Sequence, residues 1–191
     1  IVPDSNRLDA MKRPRTIRLA IAFLSPLVLL AGCATAPPPA AAPPRLVVLV
    51  VVDGLPQRQV TGYRDQLGPD GFNRFLQRGA WLADAHYGHA YTVTAAGHAT
   101  ILTGAYPHRT GIIGNEWRDP ATGEWVYCTG DAGHRYLGHA TGRLAGTSPR
   151  NLRAESLGDV LRRERPAAKV VAVSGKDRGA ILPAGRTGTA Y

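Results

Sequence analysis

The chain has 191 residues, of which 44% are hydrophobic, so it is long enough for one domain with a substantial core. Its formal net charge is +9, but the basic residues are scattered along the chain. Proteins that bind nucleic acid concentrate such residues in stripes or patches. The composition is therefore compatible with small-molecule substrates, including those that carry phosphate, and we expect no nucleic-acid partner.

The first 44 residues are predicted to be export and tether segments. Residues 1–10 precede Met11 and are interpreted as upstream translation. Residues 11–32 have a basic start, an apolar run too short to cross a membrane easily, and small residues at the end, which is typical of a signal peptide. LAGC at 30–33 resembles the lipobox of bacterial lipoproteins, which implies a lipid on Cys33. The alternative is a chance cysteine after an ordinary signal peptide.

Residues 33–44 are rich in proline and alanine and predict an extended tether. We expect the protein to be lipid-anchored in the bacterial cell envelope, facing the periplasm, with the folded domain at 45–191.

The domain is predicted to open with a buried parallel strand at Leu46–Val52, because seven aliphatic residues without alternation suit a strand covered on both faces. Asp53 follows directly. Ligands collect at the carboxyl ends of strands in open α/β sheets, so Asp53 is a candidate site residue. The alternative is a turn or helix-capping aspartate.

The next segments predict partial helix at 55–67, a short helix that ends at Gly79, and a strand at Ala80–Tyr87. His86 and His89 are interpreted as loop or core histidines, because two imidazoles without a matched third ligand are a weak zinc signal.

Thr94 lies where an extended segment meets small and aliphatic helix-forming residues. Its hydroxyl and the backbone N–H groups that follow are predicted to share a helix N-terminus, which favours an anion. The alternative is a simple N-cap. A glycine-rich loop at 111–117 then holds Asn115.

The remaining chain predicts a hairpin at 119–127 with its turn near Gly123, an irregular segment at 131–148 and an amphipathic helix at 151–165. A second buried strand is predicted at 169–173, and strand–helix–strand order favours an α/β fold with parallel pairing. Lys176 and Arg178 follow that strand as a candidate phosphate clamp, with a solvated polar turn as the alternative.

Four segments together resemble the alkaline phosphatase superfamily, most closely its phosphate-irrepressible alkaline phosphatases, near relatives of type I phosphodiesterase/nucleotide pyrophosphatases. They are VVVDG at 50–54, TVTAAGHATILTG at 92–104, GIIGN at 111–115 and SGKDRGAI at 174–181. The resemblance covers 45–191. It implies a mostly parallel sheet flanked by helices, of which this chain holds an amino-terminal portion that is incomplete at the C-terminus.

The resemblance also implies roles for individual residues. Asp53 would bind zinc, and Thr94 would be the zinc-bound nucleophile that forms a phosphothreonine. Asn115 would contact the transferred phosphoryl group, and Lys176 and Arg178 would bind its oxygens. The complete enzyme would use two zinc ions, whose other ligands lie beyond the matched motifs, so we expect this chain alone to be inactive.

The expected reaction is phosphomonoester hydrolysis, because Lys176 and Arg178 favour the extra negative charge of a monoester. Phosphodiester or pyrophosphate hydrolysis is the alternative within the superfamily. A lipoprotein that binds anions without catalysis is the alternative of another class, and it would not need Thr94.

Overall fold

The computed structural model describes residues 42–138 and 146–191. The predictions for residues 1–10, the signal peptide, Cys33 and most of the tether lie outside these residues. The chain divides into two compact units, Ile1–Val48 and Leu49–Tyr191. In the described ranges, every helix and strand belongs to the second unit.

The second unit combines short helices with very short strands. The helices span Gln57–Gly62 (α1), Phe72–Arg78 (α2), Thr94–Thr103 (α3), Pro107–Thr110 (α4), Leu157–Glu164 (α5) and Asp177–Ala184 (α6), and a 3-10 turn spans Arg64–Gln66. The strands span Glu116–Arg118 (β1), Trp125–Tyr127 (β2), Val171–Ala172 (β3) and Thr189–Ala190 (β4). None of the helices at 42–138 and 146–191 is both long and apolar enough to cross a bilayer.

Small side chains allow α3 to lie at the centre of the unit. Ala95 and Ala99 are fully buried on this helix, which packs against α6, and the αL conformation of Gly104 ends it. The buried cluster consists of Ala95, Ala99, Ile112, Cys128, Leu152 and Leu182. This cluster fixes the start of α3 relative to the glycine-rich loop and α6, which carry the other candidate residues.

The predicted parallel pairing is confirmed at β3 and β4. β3 pairs with β4 in parallel, and α6 forms the connection between them. β3 is shorter than the predicted strand at 169–173, and that strand is not buried, since Val171 is 60% exposed and Val173 77%. The mixed α/β class is confirmed, with one parallel and one antiparallel two-stranded sheet in the described residues.

Three local predictions are also confirmed. α2 ends at Arg78 with Gly79 as its C-cap, residues 55–67 are partly helical, and β1 pairs antiparallel with β2 around a turn in which Gly123 has φ +71°. The helix predicted at 151–165 begins later, at Leu157. Ser156 accepts a hydrogen bond from the Asp159 N–H while the Asp159 carboxylate accepts one from the Ser156 N–H, and this capping box sets the start.

The predicted buried strand at Leu46–Val52 is wrong in this structure. Residues in that run have no regular secondary structure, and Leu46 is 78% and Val50 72% exposed. A parallel strand is buried only when neighbours pair with it and helices cover its faces. No strand in the described residues pairs with this run.

The predicted strand at Ala80–Tyr87 is also wrong. A turn interrupts the segment at residues 83–84, and Leu82 is 80% exposed. The Asp84 carboxylate instead lies 2.7 Å from Nε2 of His86. Alternation of apolar and polar residues produces a strand only where another strand is available to pair with it.

Candidate active site

Asp53 and Thr94 meet although 41 positions separate them in sequence. Thr94 is the first residue of α3, and its Oγ1 donates a hydrogen bond of 2.9 Å to Oδ2 of Asp53. The N-cap of α3 is Val93, so the Thr94 side chain does not serve as the cap. The hydroxyl therefore stands at the helix start and is oriented by a carboxylate.

Lys176 approaches the same carboxylate oxygen. Its Nζ lies 2.6 Å from Oδ2 of Asp53. The hydrogen bond from Lys176, and then that from Thr94, hold the pKa of Asp53 below its ordinary value. Asp53 is therefore ionised near neutral pH and accepts two hydrogen bonds at one oxygen. Since the two side chains are 51% and 40% exposed, this ion pair adds little to the free energy of unfolding.

Asn115 contacts the same helix start from the glycine-rich loop. Its Oδ1 accepts a hydrogen bond of 3.0 Å from the backbone N–H of Ala95. This contact uses the first N–H after Thr94, which sequence analysis left available for an anion. The amide NH₂ of Asn115 is then the group that can donate to a ligand oxygen.

Arg178 does not join Lys176 at Asp53. Its Nη1 donates a hydrogen bond of 3.0 Å to the hydroxyl of Tyr127, at the end of β2. Its Nε is buried and has no acceptor in the described part of the chain. Lys176 and Arg178 therefore have different protein partners, and the phosphate clamp that their spacing suggests stays a prediction.

A cavity of about 300 Å³ adjoins the Asp53 carboxylate. Its lining consists of Val51, Asp53, Thr94, His98, Ser174, Gly175, Lys176 and Gly179. A larger hollow of about 390 Å³ lies elsewhere, beside α5, and contains none of the predicted site residues. The smaller cavity is the candidate active site, because it brings together a hydroxyl, a carboxylate and an ammonium group.

Sequence analysis missed His98, which lines this cavity. His98 is 8% exposed, and its Nδ1 lies 2.8 Å from the backbone carbonyl oxygen of Thr94. The signal was present in the spacing, since residues four apart on a helix share a face.

Comparison with known proteins assigns the chain to a family. The model of the type I phosphodiesterase/nucleotide pyrophosphatase family matches residues 47–176, which is more than half of the chain. The chain belongs to the type I phosphodiesterase/nucleotide pyrophosphatase family. This membership confirms the resemblance to the alkaline phosphatase superfamily.

Several relatives in the family are named alkaline phosphatases. PafA from Elizabethkingia meningoseptica is 40% identical over 141 residues, which cover 73% of this chain and 26% of PafA. PhoV from Synechococcus elongatus is 38% identical over 139 residues, which cover 72% of this chain and 25% of PhoV. The chain therefore spans about a quarter of the length of these relatives.

Solved structures agree with the family assignment. The crystal structure of wild-type PafA matches with a TM-score of 0.68 and 40% identity over 72% of this chain and 27% of that one. A second crystal structure, with a TM-score of 0.68 and 38% identity over 72% of this chain and 27% of that one, is of a PafA mutant. In that mutant one threonine, one asparagine, one lysine and one arginine are substituted, in that order along the chain.

The family fold raises the question of a metal, and Asp53 and Thr94 fit one in part. Their side-chain oxygens lie 2.9 Å apart, close enough to touch a common cation, and oxygen ligands suit zinc. They supply two ligands, whereas a catalytic zinc site takes three from the protein. Residues 42–138 and 146–191 contain no cluster of three His, Cys, Asp or Glu side chains that could hold a metal.

His86 and His89 take no part in this cavity. His86 contacts Asp84, and the ring of His89 lies against the rings of Tyr87 and Tyr106, with centroids 5.6 and 6.0 Å away. These contacts support their interpretation as loop and core histidines.

Proposed function

We propose that this chain carries the nucleophile-bearing part of a phosphomonoester hydrolase, with Thr94 as the nucleophile. The observation that carries the proposal is the hydrogen bond of 2.9 Å from Thr94 Oγ1 to Asp53 Oδ2 at the wall of a cavity. The names of the relatives PafA and PhoV support phosphate esters as the substrate. In the PafA mutant a threonine, an asparagine, a lysine and an arginine are substituted, and these are the residue types of the candidates Thr94, Asn115, Lys176 and Arg178 here.

In the proposed reaction, the Thr94 hydroxyl gives up its proton and its oxygen attacks phosphorus while the bond from phosphorus to the ester oxygen breaks. The alcohol leaves after its oxygen takes one proton from solvent, which balances the proton that Thr94 lost. A phosphothreonine forms and water then hydrolyses it. Asp53 orients the Thr94 hydroxyl, because its Oδ2 holds the hydroxyl proton and leaves the oxygen lone pairs directed elsewhere. Zinc, when bound at Asp53 and Thr94, would lower the pKa of the hydroxyl and stabilise negative charge on the phosphoryl oxygens.

The other site residues would bind the phosphoryl group. The Asn115 NH₂ can donate to a non-bridging oxygen while its Oδ1 remains fixed by the Ala95 N–H. Lys176 would add a positive charge beside the nucleophile, and Arg178 would add donors of fixed geometry. These charges favour a monoester, which carries nearly one more negative charge than a diester.

The substrate preference is tested by replacing Lys176 and Arg178 with alanine in the complete enzyme that contains this chain. We expect kcat/KM for p-nitrophenyl phosphate to fall at least tenfold further than that for bis-p-nitrophenyl phosphate, because the diester lacks the extra charge. Equal losses would favour the second candidate, phosphodiester or pyrophosphate hydrolysis, which the matched family model also supports.

The nucleophile is tested by trapping. Brief acid quenching of the complete enzyme with ³²P-labelled substrate should leave label on Thr94, and Thr94→Ala should retain none. Val93 caps α3, so this substitution removes no capping bond. Absence of label from the unsubstituted enzyme, with normal phosphate binding, would instead support an anion-binding protein without catalysis.

The number of zinc ligands in this chain leads to a proposal about its activity in isolation. We propose that the 191-residue chain alone does not turn over phosphate esters, since Asp53 and Thr94 supply two of the ligands that a catalytic zinc needs. The test is phosphate release by the purified chain with and without added zinc. Release that zinc stimulates and a chelator abolishes would contradict the proposal.

We also propose that Cys33 carries a lipid and anchors the protein in the bacterial cell envelope, facing the periplasm. The support is the basic start, the apolar run and the LAGC sequence that ends at Cys33. Metabolic labelling with palmitate should mark the chain, and Cys33→Ser should abolish the label. A signal peptide without lipidation would give export and no label.

A further inference from the structure

Arg178 is held by a chain of hydrogen bonds that starts on the hairpin. Tyr127 accepts from Arg178 at 3.0 Å and donates to Oδ1 of Asp177 at 2.8 Å. Thr129 donates to Oδ2 of Asp177 at 2.6 Å. The direction of each bond is fixed, because a phenol has one hydrogen and the carboxylate must receive it.

The residues of this hydrogen-bond network that lie on and beside the hairpin are themselves held in place. The side chain of Thr129 is fully buried, and Asn151 donates to the backbone carbonyl of Tyr127 at 3.0 Å. Arg178 itself is 22% exposed, and its Nη1 lies 3.7 Å from the Asp177 carboxylate. A guanidinium held in this way loses less conformational freedom when it binds an anion.

The hairpin also connects Arg178 to Asn115, another residue of the proposed phosphoryl site. The backbone N–H of Cys128, next to Tyr127, donates to the carbonyl oxygen of Asn115 at 2.9 Å. The Asn115 side chain in turn contacts the helix start beside Thr94. Tyr127 therefore lies one residue from a backbone contact with Asn115 and within hydrogen-bond distance of Arg178.

We propose that Tyr127, supported by Asp177 and Thr129, is a positioning residue for Arg178, and through it determines the preference for monoesters. This inference rests on the proposed function. Tyr127 touches no reacting atom, and its hydroxyl acts by fixing the direction of the guanidinium. Loss of that hydroxyl leaves the charge of Arg178 in place and releases its orientation.

The test compares Tyr127→Phe, Arg178→Ala and the double variant in the complete enzyme, with p-nitrophenyl phosphate and bis-p-nitrophenyl phosphate as substrates. We expect Tyr127→Phe to lower kcat/KM for the monoester about tenfold, the effect of one lost positioning hydrogen bond, and that for the diester less than threefold. The double variant should be no worse than Arg178→Ala alone, since the two changes remove one function. Tyr63→Phe is the matched control, because Tyr63 is 56% exposed and lies outside this network.

A second variant tests the same hydrogen-bond network without changing Tyr127. Thr129→Val is nearly isosteric and removes the donor to Asp177, so it should lower monoester kcat/KM by a smaller factor with the same substrate selectivity. Equal losses on both substrates, or losses of Tyr127→Phe and Arg178→Ala that multiply, would overturn the positioning role. If Arg178→Ala itself leaves monoester turnover unchanged, the assignment of Arg178 fails, and the inference about Tyr127 fails with it. A loss with Arg178→Ala and none with Tyr127→Phe overturns the inference alone.

Discussion

The Asp159 carboxylate offers the sharpest test of how α5 is joined to the end of α6. Asp159 is 5% exposed and accepts five hydrogen bonds. Oδ2 accepts from the N–H and hydroxyl of Ser156 at 2.9 and 3.1 Å. Oδ1 accepts from the N–H of Arg186 at 2.9 Å and from the N–H and hydroxyl of Thr187 at 2.9 and 2.8 Å.

Asp159→Asn replaces one accepting oxygen with an NH₂ group of nearly the same shape. Whichever way the amide turns, its hydrogens face two or three protein donors that lose their acceptor. The donors on Ser156 are fully buried, and those on Arg186 and Thr187 lie in a partly buried part of the contact. Each loss costs about 1–3 kcal/mol, and we expect the free energy of unfolding to fall by about 3–5 kcal/mol. The measurement is urea unfolding of the 191-residue chain, with the change taken from the midpoint and the slope.

The same carboxylate predicts a dependence on pH. Burial by itself raises the pKa of Asp159, but hydrogen bonds from Ser156 and Thr187 outweigh it and hold the pKa below its ordinary value. The stability that Asp159 contributes is therefore present above the unfolded-state pKa of about 3.9 and is lost as the pH falls through the lower folded-state pKa. Asp159→Asn should flatten this part of the acid unfolding curve.

Asp70→Asn is the matched control, because Asp70 is exposed and has no side-chain hydrogen bond in the described residues. It should change the free energy of unfolding by less than about 0.5 kcal/mol. If Asp159→Asn behaves like this control at neutral pH and unfolds with acid like the unsubstituted chain, the buried carboxylate does not join the two helices as described.

Two further predictions concern buried positions. Gly185→Ala should lower the free energy of unfolding by at least about 2 kcal/mol in the same urea assay, because Gly185 has φ +68° and a Cβ there would overlap Ser156 Oγ and the Asp159 carboxylate. Gly123→Ala is the control, since Gly123 is also at positive φ but lies in open space, and it should lower the free energy of unfolding less. Equal losses for the two variants would contradict the overlap. Burial raises the pKa of the Cys128 thiol to about 11, so in a Cys33→Ala background it should resist iodoacetamide at pH 8 until the chain unfolds, and rapid labelling of the folded chain would show that the thiol is accessible.

Local sequence signals predicted the structure best where the interactions are themselves local. The end of α2 at Gly79 depends on a close approach, because a Cβ there would overlap the backbone carbonyl oxygen of Phe75, and the hairpin turn at Gly123 depends on a positive φ that glycine adopts easily. The true start of α5 could also have been predicted from the sequence, since Ser156 and Asp159 have the spacing of a capping box. The apolar pattern instead placed the predicted start too early. The spacing of apolar residues indicates that a helix is present, whereas the capping residues indicate where it begins.

Strand predictions were less reliable, because a strand depends on partners that can come from anywhere in the chain. The aliphatic run at Leu46–Val52 has the composition of a buried strand and is exposed in this structure. The segment Ala80–Tyr87 alternates and forms a turn. At β3 the partner β4 is present, and there the predicted strand forms in part.

The order of the motifs was enough to identify the family and to select Asp53, Thr94, Asn115, Lys176 and Arg178, because residue type and spacing are properties of the chain itself. Only the tertiary structure decided how these side chains are used. It directs Lys176 to Asp53 but Arg178 to Tyr127, and it adds His98 to the cavity. Side-chain direction depends on the helix start at Asp177 and on the hairpin that packs beside it, and that contact joins residues about 50 positions apart, which no local pattern encodes.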